Sequence, residues 1–176
     1  GKGDKPDPGF GYYAQIQQLD QLSDKNILPI PFANAALWMI PVSVLKKVGG
    51  FSPLFYHYGE DKDFVNRLTY HDYQVGYSPQ IFGNHDREYR PLTHQVFLRT
   101  EYVYHLSEYA NIHHNWLKAF GYGVLAPMKK CLVALFKGKA SLSKDYFRMT
   151  FQLLRRSKEV CFYRKTNRLS NPHYIQ

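Results

Sequence analysis

Apolar and polar positions along the chain fall into two regimes, with the change between Arg87 and Pro91. Before it, apolar stretches are short and punctuated by Gly and Pro, a mixed α/β pattern. "LPIPFANAALWMI" reads as a strand entered from prolines and largely buried. "PVSVLKKV" predicts one or two helical turns opened by Pro41, which suits a first helical position. Gly49 and Gly50 should end that helix, since glycine accepts the left-handed conformation there. Phe64, Val65 and Leu68 give a helix from Glu60 to about Tyr70 its apolar face. "YQVGYSP" predicts a short strand, and "QIFGNHD" a second extended piece ending at His85 and Asp86.

Beyond Pro91 the period becomes helical. Val96, Val103, Leu106, Ala110 and Leu117 form one stripe. Val124, Met128, Cys131, Leu132 and Leu135 form a second, with Lys129 and Lys130 between them. Phe147, Phe151, Leu154 and Cys161 form a third, with Ser143 as N-cap and Asp145 in the first turn. The Gly/Pro/Asp-rich start reads as loop, and "YAQIQQLDQLS" as a short helix or irregular segment. The fold class is therefore α/β, in three segments. Residues 1–28 are loop and connector, 29–90 an α/β unit, and 91–176 a basic helical extension.

Composition narrows this picture. A chain of 176 residues suits one domain, or a domain with an appendage, and its 16% aromatic content sets it apart from disordered chains. Two cysteines, Cys131 and Cys161, make no disulfide framework and fit a reducing compartment. Consecutive apolar runs stay far short of the ~18 residues of a spanning helix. The opening "GKGDKPDPGFG" lacks the apolar region of a secretory leader. The net charge of +9 is unevenly spread. Residues 1–117 hold 10 Lys/Arg against 12 Asp/Glu; residues 118–176 hold 13 against 2. Such asymmetry points to an anionic partner for the second half. Without zinc-finger spacing, an RNP string or a Gly-rich loop, nucleic acid is not the expected one.

The acids concentrate in "FYHYGEDKDFVNRL". Glu60, Asp61 and Asp63 in a first helical turn are stabilised by the unpaired amides there, by about 0.3–1 kcal/mol each. Asp63 and Arg67, at i and i+4, predict a modest surface pair. The same geometry keeps Asp61 ionised and aimed into the loop before the helix, where a base for a hydroxyl nucleophile belongs. Trp38 offers a ring face for a sugar or a core side chain. Glu101, His105 and Glu108 have metal-ligand spacing, but without a second ligand-bearing helix they read as a solvated face.

Asn34-Ala35-Ala36, Val48-Gly49-Gly50-Phe51, Gly59-Glu60-Asp61 with Asp63, Arg67-Leu68, Val75-Gly76-Tyr77 and His85 occur in that order. Over roughly residues 29–87, about a third of the chain, this set resembles the second half of the catalytic domain of family 2 glycosyltransferases. The resemblance implies the acceptor-side half of a GT-A-type mixed sheet, and inverting transfer of a sugar from a nucleotide-diphosphate donor. Asp61 matches the family's base, and Glu60 would hold the acceptor or orient that base. Asn34, Ala35, Trp38, Tyr58, Asp63 and Arg67 would line the acceptor and donor region. His85 matches a position that in some members helps to bind a divalent metal, Mn or Mg, on the diphosphate.

The family's nucleotide-binding half, with its Asp-x-Asp, does not precede Pro29. "GDKPD" sits in a Gly/Pro loop without a preceding strand, so the chain reads as a C-terminal fragment, inactive alone. An exposed sheet edge would then invite self-association. Gln152-Leu153-Leu154-Arg155-Arg156 lacks the Trp of the processive Q-x-x-R-W string, which favours single-sugar transfer. The amphipathic tail predicts peripheral attachment to an anionic cytoplasmic leaflet, where a lipid-linked or glycan acceptor would be met. The alternative is a non-catalytic membrane-docking or scaffold module derived from a transferase half.

Overall fold

The computed structural model describes residues 27–35, 37–78, 91 and 93–170. Helices account for 64% of them, against one sheet of two antiparallel strands. Strand β1 (Leu28–Ile30) pairs with β2 (Val75–Tyr77), Leu28 opposite Tyr77 and Ile30 opposite Val75. The α/β class and the helical extension hold, but the mixed sheet of a GT-A domain is absent from the described residues. The long buried strand expected from residue 28 to 40 shrinks to β1. Pro29 and Pro31 cannot donate to a ladder, and the irregular stretch that follows leaves Leu37 and Met39 exposed. The N-terminal loop, the "QIFGNHD" piece with His85, and the change of pattern at 87–90 lie outside the described residues.

Helix α1 (Val42–Val48) starts after Pro41, which caps it from one position outside. Gly49 ends it at φ 86, with its amide bonded to the Leu45 carbonyl at 2.8 Å. Its ψ of 172° differs from that of a left-handed helical residue, a region open to glycine alone. Helix α2 (Glu60–Tyr70) has the predicted bounds. It closes with Asp72 at φ 62, the Tyr73 amide donating to the Leu68 carbonyl at 2.9 Å and the Asp72 amide to that of Thr69 at 3.3 Å. That pair of bonds satisfies two of the carbonyls a helix end orphans.

Helix α3 (His94–Ala110) is capped by the Thr93 hydroxyl, which accepts from the Val96 amide at 3.2 Å. Helix α4 (Trp116–Phe120), capped by Asn115, runs through a π turn (Gly121–Leu125) into α5 (Ala126–Phe136). A Cβ on Gly123 would lie 2.3 Å from Tyr109 Cγ, so only glycine lets this turn cross α3 so closely. Helix α6 (Ala140–Arg155) folds back along α5 after Gly138 at φ 69, and α7 (Ser157–Asn167) follows.

One hydrophobic cluster joins Leu106 and Tyr109 of α3, Val124, Met149, Leu153 and Val160. Leu54 and Phe55, from the loop before α2, belong to it, so the first segment and the helical extension share a core. A second cluster gathers Val48, Phe64 and Leu68, with Trp38, Ile40 and Val75 packed around them.

The stripe expectations fare unevenly. Leu106, Ala110, Val124 and Cys131 are buried, while Leu117, Leu132 and Leu135 are exposed. The third stripe is reversed: Phe147, Phe151, Leu154 and Cys161 all face solvent. Helix α6 turns Ser143, Tyr146, Met149, Thr150 and Leu153 inward instead. The Ser143 hydroxyl donates to the Cys131 carbonyl (3.0 Å) and the Thr150 hydroxyl to the Tyr146 carbonyl (2.8 Å). Hydroxyls satisfied in this way tolerate burial, and they make the inner face read as the polar one. Ser143 accordingly lies inside α6 rather than at its cap. The continuous helix Trp116–Phe136 bears on the expectation about spans: its 21 residues contain an 18-residue window of mean hydropathy 1.3, enough by length and composition to cross a membrane. Gly121, Gly123, Pro127, Lys129 and Lys130 interrupt it, so a count of consecutive apolar residues passes over it.

Two leucine- and phenylalanine-to-alanine changes test which face of α6 is inside. Leu153→Ala should cost about 2–5 kcal/mol, as for a fully buried aliphatic. Phe151→Ala should stay within about 0.5 kcal/mol of wild type. Urea unfolding followed by circular dichroism measures both.

Candidate functional site

The acidic stretch begins with a backbone reversal. Tyr58 (φ 70) and Gly59 (φ 88) both have positive φ, and Gly59 leads straight into α2. No side chain caps the helix, so Glu60, Asp61 and Asp63 provide the negative charge that its free amides favour. Gly59 presses on α3: a Cβ there would lie 2.8 Å from Val103 Cγ1 and 3.0 Å from the Ser107 hydroxyl. Lys62 reaches from the same turn to Glu108 of α3, Nζ to Oε1 2.6 Å. Asp61 is half-buried and its Oδ1 accepts from the Lys62 amide at 2.7 Å. Glu60 Oε2 is buried with no hydrogen-bond partner among the described residues. The two leading acids thus follow one another on a turn held against α3.

Asp63 and Arg67 take a different role from the surface pair expected of them. Arg67 is fully buried and Asp63 is 4% exposed, with Nε to Oδ2 2.8 Å. Arg67 also donates to the carbonyls of Val48 (2.8 Å) and Gly50 (2.6 Å). Burial raises the Asp63 carboxyl's pKa, and the neighbouring guanidinium opposes that rise. Neither side chain is open to a substrate; the pair locks the Gly49–Gly50 turn against α2.

Trp38 packs on Phe64 of α2 and on Phe51, ring centroids 5.7 and 6.2 Å apart, so it acts as the core side chain of its two readings. Its Nε1 is buried and without a partner among the described residues. Tyr58 is partly exposed, and the Arg99 guanidinium lies over its ring at 4.9 Å. Asn34 and Ala35 are exposed in the stretch after β1, and His85 lies outside the described residues. Arg99 went unnoticed in the sequence, where a lone arginine on a polar helix face carries no signal. It also borders an open groove of about 310 Å³ between α3 and α6, with Tyr102, Asp145 and Arg148. Among the described residues no three His, Cys, Asp or Glu side chains are placed to hold a metal.

The supposed solvated face of α3 is a polar seam instead. His105 is buried, its Nδ1 2.7 Å from the Tyr122 carbonyl that the π turn presents. Glu101 accepts from Lys130 of α5 and from the Tyr146 hydroxyl of α6. Glu108 joins Lys62 to His114, Oε2 to Nε2 2.9 Å. Burial pushes the pKa of both glutamates up, but the hydrogen bonds and charges of their partners together, Lys130 and Tyr146 at Glu101 and Lys62 and His114 at Glu108, outweigh it and leave both low. Burial lowers the pKa of His105 from its ordinary 6.5, against the bond to Tyr122.

Comparison with protein-family models, with curated proteins and with solved structures finds no match for this chain.

The seam sets a pH dependence. Below pH 6.5 the unfolded chain protonates its histidine more readily than the folded His105 does, so stability falls as pH drops. Glu101 and Glu108 add a second loss as pH falls through 4.5 and below, because the unfolded carboxylates take up protons first. Urea midpoints should therefore decrease from pH 7.5 to pH 5.5, and His105→Gln should flatten that limb while leaving the acid limb in place. Separately, Gly59→Ala should cost about 2–4 kcal/mol, combining a disfavoured positive φ with overpacking against Val103.

Proposed function

We propose that this chain carries the acceptor-side part of an inverting glycosyltransferase. Asp61 takes the proton of the acceptor hydroxyl as its oxygen attacks the anomeric carbon. The nucleoside diphosphate leaves with the electron pair of the broken glycosidic bond. Glu60 accepts a hydrogen bond from the acceptor and orients it toward Asp61. The observation that carries this reading is a half-buried Asp61 next in sequence to a Glu60 oxygen that is enclosed without a partner among the described residues, on a helix start held by Gly59. An enclosed carboxylate oxygen without a donor costs stability, and a hydroxyl acceptor would supply the missing bond. The ordered residues from Asn34 to Tyr77 that resemble family 2 transferases supply the reaction class.

Asp63 and Arg67 support the site from behind rather than touching its ligands. The donor is a nucleotide-diphosphate sugar, and the acceptor a glycan or a lipid-linked hydroxyl. In the native polypeptide from its source cells, Asp61→Asn should lower sugar transfer by about 10²–10⁴-fold, the usual weight of a general base. Donor binding should persist, and stability should fall by no more than about 1 kcal/mol, the weight of one charge at a helix start. Assays across UDP-, GDP- and dTDP-sugars with a hydroxyl acceptor measure this, and normal turnover by the variant removes Asp61 from the role of base.

A further inference from the structure

Helices α5 and α6 each turn one side to α3. On α5 that side carries Lys130, bonded to Glu101; on α6 it carries Asp145, bonded to His94, and Tyr146, bonded to Glu101. A second side of each faces the other, where Cys131 meets Ser143. At 100° per residue, the positions pointing away from α3 are Leu132 and Phe136 on α5 and Phe147, Phe151 and Leu154 on α6, with Leu125 at the end of the π turn just before α5. All six are exposed, Phe136 by 88% and Phe147 by 57%. The two exposed stripes therefore form one outer face of the α5–α6 hairpin.

We infer that this face is a membrane-docking surface, lying in the plane of an anionic lipid bilayer at the level of its headgroups. Three observations choose that occupant. First, the face is rimmed by Lys129, Lys137, Lys139, Lys144 and Arg155, none of which forms an ion pair among the described residues. The two acids of this half, Asp145 and Glu159, are engaged with His94 and Arg156. Second, Arg155 lies over the ring of Phe151 at 4.3 Å, so aromatic and cation share one surface. Long cationic stems beside Phe and Leu suit a headgroup boundary, where apolar parts sink and charges stay wet. Third, a second copy of the chain would bring two cationic rims together, which disfavours self-association through this face.

The helix Trp116–Phe136 lies along the bilayer rather than crossing it. Pro127, Cys131 and Ala134 are buried in the fold and Lys130 is bound to Glu101, contacts that crossing would break. This inference does not depend on the role of Asp61.

Flotation of the full chain with vesicles of phosphatidylcholine and phosphatidylglycerol tests it, with pure phosphatidylcholine as the reference. Binding is expected to the anionic vesicles and to weaken with salt. Phe147→Ser/Phe151→Ser should bind more than about tenfold more weakly, as for loss of two inserted rings. Lys129→Gln and Lys144→Gln should each weaken binding about fivefold. Circular dichroism checks that each variant stays folded, which their exposure favours. Equal binding by folded wild type and the phenylalanine variant overturns the inference. So does a folded chain that ignores anionic vesicles at low salt, or a dimer that dissociates on the same double substitution.

Discussion

The guanidinium of Arg67, fully buried, uses its donors on Asp63 of its own helix and on the carbonyls of Val48 and Gly50 from the turn before. A buried charge without such partners costs several kcal/mol, so removing any partner exposes the whole penalty. The arrangement therefore fixes α2 to the end of α1, and with it the direction in which α2 begins. Glu60 and Asp61 stand on that beginning. Their placement depends on an ion pair that starts in the same turn, at Asp63, and ends one turn further on, at Arg67.

A second constraint joins this unit to the helices. Helix α3 receives Gly59 on Val103 and Ser107, and Lys62 on Glu108. The same helix holds α6, α5 and the π turn through His94, Glu101 and His105. The π turn is part of this design: its Tyr122 carbonyl meets His105, and Gly123 lets it lie on Tyr109. The polar seam is buried yet largely satisfied, and so it specifies one packing of α3 against its neighbours.

Local patterns were legible wherever local forces decided the outcome. The bounds of α2 follow from Gly59, three acids in the first turn and the apolar spacing of Phe64, Val65 and Leu68. The end of α1 at Gly49 follows from glycine's access to positive φ. The acid turn was readable for the same reason, since charge near a helix start acts over a few ångströms. Short strands were readable in type, as with Val75–Tyr77, but their partners were not. Strand pairing joins residues far apart along the chain, such as Leu28 and Tyr77, through backbone groups that every residue carries.

What the sequence determined by itself is the run of helices, the acid turn and the excess of cations in the second half. Each of these depends on neighbours along the chain. Tertiary structure alone decided which side of each amphipathic helix is inside. It put Thr150 and Ser143 within and Phe147 and Phe151 without, because a hydroxyl can bond a carbonyl close at hand and so give up water. It likewise turned Asp63 and Arg67 from a surface pair into an anchor, since burial depends on what packs over a residue. Spacing shows that a face is apolar; only the packed neighbours show whether it is covered.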